Sequence, residues 1–285
     1  HPVPVAGQYS SVLENAFVVA DHEERKSRIH KALVESDDKV LIDPSLLSEV
    51  NNLVEWPVAV AGTFEEAFLE VPHAALIASM QDHQKFFPVA DAEHDERGTN
   101  RCGAFSNLES RDGAQGREGY ERVIRPRLAD ARFFLEQDLK TPLENHLTQL
   151  DRVVFQQKIG TVGDKSRRME SISSDLADIL GSEKHIVGRA ALLAKCDLMT
   201  QMVGEFPELQ GQMGEYYALA SGETPDVARA IGEHYAPKFA GDAIPASDAG
   251  RLVSIADRSD TLVGVFAAGL KPTGNKDPFA LRRAA

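Results

Sequence analysis

The 285-residue sequence is poor in cysteine and in long apolar runs. Its two cysteines, Cys102 and Cys196, are far apart and form no C-x-x-C pair, so neither a disulfide framework nor a cysteine-rich zinc site is predicted. No segment approaches the roughly 18 consecutive apolar residues that a membrane span needs. The N-terminus also lacks a basic segment followed by an apolar one. We therefore expect a cytoplasmic protein that does not associate with membranes.

Motifs that bind nucleotides or catalytic metals are also missing. Neither G-x-x-x-x-G-K-[ST] nor G-x-G-x-x-G occurs, and such loops hold phosphate groups on rows of backbone N–H groups. The nine histidines are scattered and include no H-E-x-x-H pair. We therefore expect no ATP site and no metal in this chain, and structural or surface roles for the histidines.

Charge is unevenly distributed along the sequence. The formal net charge of -13 argues against non-specific coating of nucleic acid, and no DNA partner is expected. Basic and acidic residues number 6 and 16 in residues 1–94, 14 and 13 in residues 95–170, and 11 and 15 in residues 171–285. Only the middle third is predicted to face a polyanion. Five arginines lie close together there: Arg117, Arg122, Arg125, Arg127 and Arg132. Acidic residues are interleaved with them, so a salt-bridged helix surface is the competing interpretation.

Periodicity divides the chain into two regions. Residues 1–110 mix predicted helices, at 9–19, 22–33, 45–50 and 72–81, with strands at 54–62, 86–89 and 103–107. From Gly116 onwards helical spacing dominates, at 127–139, 147–157, 164–180, 185–203, 208–219, 224–236 and 247–269. The fold class is therefore predicted as α+β, with a mixed domain at residues 1–150 and an all-helical domain at 151–285. The chain starts with His and ends in an unfinished helical pattern, as expected of an excised piece.

The last third has a layout similar to that of the HD superfamily of helical phosphohydrolases. Those enzymes bind metal through a His, a later His-Asp pair and a further Asp. Here Lys165 stands at the first His position, Cys196 at the second, and Asp197 and Asp257 at the two Asp positions. An ammonium repels a divalent cation, and two carboxylates offer few donors, so we expect a degenerate HD-like fold without phosphohydrolase activity. Lys165 could pair with either aspartate in place of the metal, or both aspartates could make only local caps and pairs.

Several continuous strings are more specific than these spacings. They follow one another along most of the chain and are similar to successive blocks of the bacterial glycyl-tRNA synthetase beta subunit. The strings are DHQKFFPV at 82–89, SNLES at 106–110, ERVIRPRLADARFF at 121–134, VFQQKIGT at 154–161, KCDLMT at 195–200, EFPELQGQMG at 205–214, ADRSDTL at 256–262 and KDPFALRRAA at 276–285. The chief departure is Phe86, where the family often has Tyr.

The resemblance implies a two-subunit glycine–tRNA ligase in which the alpha subunit binds glycine, ATP and Mg²⁺. This chain would then be the central part of a longer beta subunit, with an anticodon-binding region beyond Ala285, and would need no cofactor of its own. Residues 1–150 are similar to the editing-type domain of the phenylalanyl-tRNA synthetase beta subunit, and residues 151–285 form the degenerate HD-like domain.

The expected function is to bind tRNA-Gly and present its 3′ end to the alpha subunit. Guanidinium groups can grip phosphate through two parallel hydrogen bonds. The candidate contacts are Arg125 and Arg127, followed by Lys85, Arg122, Lys165 and Arg282. Each could instead form a structural ion pair. Two rival functions remain open, a metal-dependent HD-type phosphohydrolase and a scaffold that holds the alpha subunit.

Overall fold

The computed structural model of the protein describes residues 2, 5–36, 39–91, 98–110, 112–274 and 276–285. The chain forms two compact units, residues 1–133 and 134–285. The division falls inside a long helix, α5 (Gly113–Asp138). The predicted domain boundary lies further along, near residue 150, and the domain types assigned on either side of it stay predictions.

Helices of the first unit begin at side chains that cap their free N–H groups. Asp21 accepts a hydrogen bond from the backbone of Glu24 (2.8 Å), and Asp43 accepts one from Leu46 (2.7 Å). Pro44 occupies the first helical turn, where its missing N–H is harmless. The described α-helices before α5 are α1 (Tyr9–Glu14), α2 (His22–Val34), α3 (Pro44–Leu53) and α4 (His73–Gln84).

A four-stranded antiparallel sheet completes this unit. Its strands are β1 (Lys39–Val40), β2 (Val58–Thr63), β3 (Phe87–Ala90) and β4 (Gly98–Ser106), in the order β1-β3-β4-β2. β3 and β4, which overlap the strands predicted at 86–89 and 103–107, pair antiparallel with Phe87 opposite Gly103. Phe87 is completely buried and packs with Ile29, Leu47 and Val50, so α2 and α3 cover the sheet through one apolar core.

The second unit is mostly helical. Its helices after α5 are α6 (Leu147–Leu150), α7 (Val162–Leu180), α8 (Lys184–Leu193), α9 (Gln201–Glu205), α10 (Gln212–Ala220), α11 (Pro225–Glu233), α12 (Asp248–Ala267) and α13 (Leu281–Ala284). A reciprocal capping box between Thr161 and Asp164 starts α7, and Gly181, at φ 72°, ends it. The mixed first half and helical second half agree with the predicted fold class, but the HD-like assignment stays a prediction.

Two predicted helices of this unit are wrong in part. The helix predicted at 147–157 stops at Leu150, and β5 (Val154–Gln156) pairs antiparallel with β6 (Gly160–Thr161). Val153, Val154 and Phe155 favour a strand, and Gly160, at φ 97°, adopts the left-handed backbone that lets the chain turn back. The helix predicted at 185–203 is interrupted after Leu193. The second unit is therefore not all-helical.

No described helix combines the length and the hydrophobicity that crossing a bilayer requires.

Candidate functional site

Three helical segments of the second unit place two lysines on one carboxylate. Lys165 comes from the first turns of α7, Lys195 follows α8, and Asp257 comes from the middle of α12. The Nζ atom of Lys165 lies 2.8 Å from Oδ1 of Asp257, and the Nζ atom of Lys195 lies 2.7 Å from Oδ2. Both lysines are buried. Each oxygen of Asp257 therefore has its own ammonium partner.

Further contacts saturate the ammonium of Lys165. It donates to the Asp257 carbonyl (3.0 Å) and to Oγ1 of Thr261 (2.7 Å), and it lies 3.3 Å from Oδ2 of Asp260. Asp260 is also buried and is held by the guanidinium of Arg168, with contacts of 2.5 and 3.1 Å. We call these five residues, Lys165, Arg168, Lys195, Asp257 and Asp260, the lysine–aspartate cluster. It contains three cations and two carboxylates.

The cluster controls the protonation of its neighbours. Burial alone would raise the pKa of Asp257, but the charges of Lys195 and Lys165 outweigh it and hold that pKa far below its usual range. Burial, reinforced by the charge of Lys195, lowers the pKa of the fully buried His234 to about 3. His234 is therefore neutral, its Nδ1–H donating to the Ile231 carbonyl (2.6 Å) and its Nε2 accepting from Lys195 (2.8 Å).

The other two positions of the HD alignment do not join the cluster. Asp197 is fully buried, and its Oδ2 accepts backbone hydrogen bonds from Gly211 (2.6 Å) and Gly214 (3.2 Å). Its Oδ1 has no hydrogen-bond partner among the described residues, and burial raises its pKa to about 6. Burial also raises the pKa of the Cys196 thiol to about 12, so this thiol stays protonated. Of the two pairings predicted for Lys165, the structure contains the one with Asp257.

The donor set of the cluster does not suit a metal ion. An ammonium has no lone pair to donate, and Lys165 and Lys195 already occupy both oxygens of Asp257. Within the described ranges, no group of three or more His, Cys, Asp or Glu side chains is arranged to hold a metal. The arrangement favours a structural role over the binding of a divalent cation.

Sequence reasoning missed Lys195 and assigned His234 no specific partner. Lys195 had no periodic signal, because it follows the end of α8 and its direction depends on the turn there. His234 did have a periodic signal, because Val227, Ile231 and His234 follow the i, i+4, i+7 spacing of the buried face of α11. A histidine on such a face requires a buried hydrogen-bond partner.

The arginine-rich helix α5 belongs to the first unit over most of its length. Its buried stripe consists of Ile124, Leu128 and Ala131, all at 0% exposure. Arg122, Arg125 and Arg127 lie off this stripe, with side chains 74%, 57% and 45% exposed. The helix therefore presents its guanidinium groups to solvent.

Each of these arginines has an acidic neighbour. Arg122 pairs with Glu118 one turn away (2.8 Å), Arg125 with Glu65 (2.5 Å), and Arg127 approaches Asp130 only to 3.8 Å. Such exposed pairs contribute at most about 1 kcal/mol to stability, so an incoming phosphate can replace the carboxylate at little cost.

The remaining predicted contacts lie in other environments. Lys85 ends α4 in a left-handed conformation and contacts Glu49 at 2.9 Å. Arg282, in α13, is exposed and donates to the carbonyls of Thr273 and Gly274. Lys165 is 4% exposed, inside the lysine–aspartate cluster, so its ammonium does not reach a phosphate at the surface. The structure therefore groups Arg122, Arg125 and Arg127 on one helix and places the other three candidates on other elements.

Comparison with known proteins places this chain in the class that the sequence strings indicated, the aminoacyl-tRNA synthetase subunits. The chain belongs to the glycyl-tRNA synthetase beta subunit family, whose sequence profile matches residues 1–285. It is similar to the glycine–tRNA ligase beta subunits of Chromohalobacter salexigens (50% identity over 286 residues, 98% of this chain and 41% of the relative), Ralstonia nicotianae (51% over 284 residues, 99% and 40%) and Pseudomonas putida (48% over 287 residues, 99% and 42%). The chain thus spans about two fifths of the length of these relatives. The family predicted from the sequence is confirmed.

Proposed function

We propose that this chain is the part of a glycine–tRNA ligase beta subunit that binds tRNA-Gly and positions it for aminoacylation by the alpha subunit, in the cytoplasm. Family membership supports the ligase assignment. The exposed guanidinium groups of α5 support the RNA-binding role, and this feature carries the proposal.

Electrostatics favours α5 over the rest of the chain as the contact surface. Residues 95–170 carry 14 basic and 13 acidic side chains, whereas residues 1–94 carry 6 and 16. A strongly acidic surface repels the phosphate backbone, so binding concentrates where cations are available. Arg125 and Arg127 are the primary contacts, Arg122 lies about one turn before Arg125 on the same helix, and Lys85 and Arg282 are secondary contacts.

Activation of glycine belongs to the alpha subunit in this proposal. The sequence has no phosphate-binding loop of either common type. ATP, Mg²⁺ and glycine would bind the alpha subunit, and this chain would contribute only to the tRNA-dependent step.

The test is a charge reversal in the complete two-subunit enzyme. Arg125→Glu combined with Arg127→Glu replaces two attractive phosphate contacts by repulsive ones. Because a hydrogen bond to a charged group contributes roughly 1.5–3 kcal/mol, the Michaelis constant for tRNA-Gly should rise at least about tenfold. Glycine-dependent pyrophosphate exchange, which needs no tRNA, should not change.

A matched control reverses two exposed arginines outside the proposed surface, with Arg152→Glu and Arg229→Glu. Its net charge changes equally, but the Michaelis constant for tRNA should stay near that of the unaltered enzyme. Equal loss of exchange and aminoacylation in the α5 variant would reject the assignment. Crosslinking of tRNA to the beta subunit without the alpha subunit separates direct RNA binding from a scaffold role.

A further inference from the structure

A pocket of about 360 Å³ opens in the helical unit above the lysine–aspartate cluster. Asp257 forms part of its floor. Its walls come from the segment after α11, from α12 and from the C-terminal segment that includes α13, with Tyr235, Lys238, Arg258 and Arg283 among the lining residues. The pocket is an order of magnitude larger than the ~30 Å³ that a water molecule occupies in the liquid. Its size falls in the range of small-molecule sites.

Charge is close to balanced beneath the floor. The cluster holds three cations, Lys165, Lys195 and Arg168, against the two carboxylates of Asp257 and Asp260. The neighbouring carboxyl of Asp197, which interacts with Lys195 and has a pKa of about 6, is ionised at neutral pH and offsets the remaining charge. His234 is neutral and adds no charge. Positive potential in the pocket therefore comes from its walls.

The walls add three more cations. Arg258 donates to the carbonyls of Tyr235 (3.4 Å) and Pro237 (3.0 Å), and these neutral acceptors orient its guanidinium without cancelling its charge. The side chains of Lys238 and Arg283 form no ion pair within the part of the chain that the structure describes, and both are exposed. Glu208 is the only acidic wall residue besides Asp257 among those that line the pocket, so cations outnumber carboxylates in the lining.

Aromatic groups complement the charge. Phe279 lines the pocket and is fixed by an edge-to-face contact with Phe155, at 6.1 Å between ring centroids and 69° between ring planes. Tyr235 also lines the pocket, and the Nζ atom of Lys195 lies 3.8 Å from its ring centroid. A planar base can pack on such rings, whereas a bare inorganic anion would leave most of the volume unfilled.

We propose that this pocket binds a nucleotide, with Lys238 and Arg283 contacting its phosphate and Phe279 its base. The ligand is either a free mononucleotide or a nucleotide of an RNA strand, since both offer the same phosphate and base. The wall cations supply the positive potential, and the buried cluster fixes the floor. This inference goes beyond the tRNA contacts of α5 and does not depend on them.

The test measures equilibrium binding of AMP, adenosine and the RNA trinucleotide CpCpA to the complete beta subunit by calorimetry. AMP should bind and adenosine should bind at least about tenfold more weakly, because it lacks the charged contacts. The double variant Lys238→Ala, Arg283→Ala should weaken AMP binding by about tenfold or more. A matched double variant with the same loss of charge, Lys271→Ala and Arg152→Ala, changes exposed residues outside the pocket and should bind AMP normally.

The outcomes separate the two sources of the nucleotide. Tight AMP binding that is lost in the pocket variant assigns the site to a free nucleotide, and binding of CpCpA alone, lost in the same variant, assigns it to RNA. Binding of neither probe at millimolar concentration, or equal binding by pocket and control variants, overturns the proposal. AMP binding by the unaltered chain should also weaken as salt is raised while adenosine binding does not, which checks the charge argument without any substitution.

Discussion

The lysine–aspartate cluster makes Asp257 the residue whose charge the helical unit can least tolerate losing. Asp257→Asn keeps the shape of the side chain but removes the negative charge that contacts Lys165 at 2.8 Å and Lys195 at 2.7 Å. Lys165 would retain Asp260, at 3.3 Å, whereas Lys195 would retain only neutral partners, His234 and the Tyr235 ring. A buried ammonium would then lack any carboxylate partner.

The expected cost follows from that unpaired charge. Removing one partner of a buried ion pair typically costs about 3–5 kcal/mol, a large share of the roughly 5–15 kcal/mol that stabilises a domain. Urea unfolding followed by far-UV circular dichroism measures this loss. Adding Lys195→Met to Asp257→Asn should recover part of it, because the second change removes the uncompensated ammonium.

The control is Asp178→Asn, which breaks the exposed contact of Asp178 with Lys184. Exposed pairs contribute little, so its unfolding curve should nearly coincide with that of the unaltered protein. If Asp257→Asn destabilises no more than Asp178→Asn, or if Lys195→Met worsens rather than relieves the loss, the charge-balance reasoning is refuted.

Two further predictions concern the buried carboxyl of Asp197 and the glycine that contacts it. The folded-state pKa of Asp197, about 6, is above its ordinary 3.8, so its contribution to stability is present at low pH and lost as pH rises through 6. Between about pH 4 and pH 7, the free energy of unfolding of the unaltered protein should therefore fall by up to about 3 kcal/mol relative to that of Asp197→Asn, as measured by urea unfolding at each pH. A difference between the two proteins that does not change with pH would contradict the pKa shift. Gly211→Ala should destabilise by about 1–3 kcal/mol, because Gly211 has φ 87° and a Cβ there would lie 2.9 Å from the Tyr235 ring. Gly204 lies in α9 with open space around a new Cβ, so Gly204→Ala should instead stabilise the protein by about 0.5–1 kcal/mol. Thermal unfolding measures both changes, and equal effects of the two would refute the steric argument.

Local sequence signals predicted the elements that depend on local physics. The helix predicted at 45–50 and the strands predicted at 86–89 and 103–107 followed from helical spacing and strand composition. The β5–β6 hairpin was missed because its strands are only three and two residues long, too short to show a period. Pro126 lies inside α5, although proline normally ends a helix. The buried stripe of Leu128 and Ala131 continues through it, so tertiary packing outweighs the local penalty.

The candidate site was predictable only in part, for a similar reason. A pairing of Lys165 with Asp197 or Asp257 follows from the charges of the aligned positions, because a buried lysine must find a carboxylate, and the structure contains the pairing with Asp257. Asp197 stays apart from that pair because its carboxylate accepts hydrogen bonds from the N–H groups of Gly211 and Gly214. The direction of those N–H groups cannot be predicted from the sequence. The position of Lys195 depends on how the chain leaves α8. Such features are set by tertiary structure, which spacing along a sequence does not encode.

The salt dependence of tRNA-Gly binding by the complete beta subunit alone tests the central claim, that cationic side chains of α5 hold the RNA backbone. Each phosphate contact contributes roughly 0.7–0.9 to the slope of log affinity against log salt concentration. The Arg125→Glu, Arg127→Glu variant should therefore bind more weakly, with a slope shallower by about 1.4 or more, while the Arg152→Glu, Arg229→Glu control keeps the original slope. An unchanged slope and affinity in the α5 variant would contradict the account.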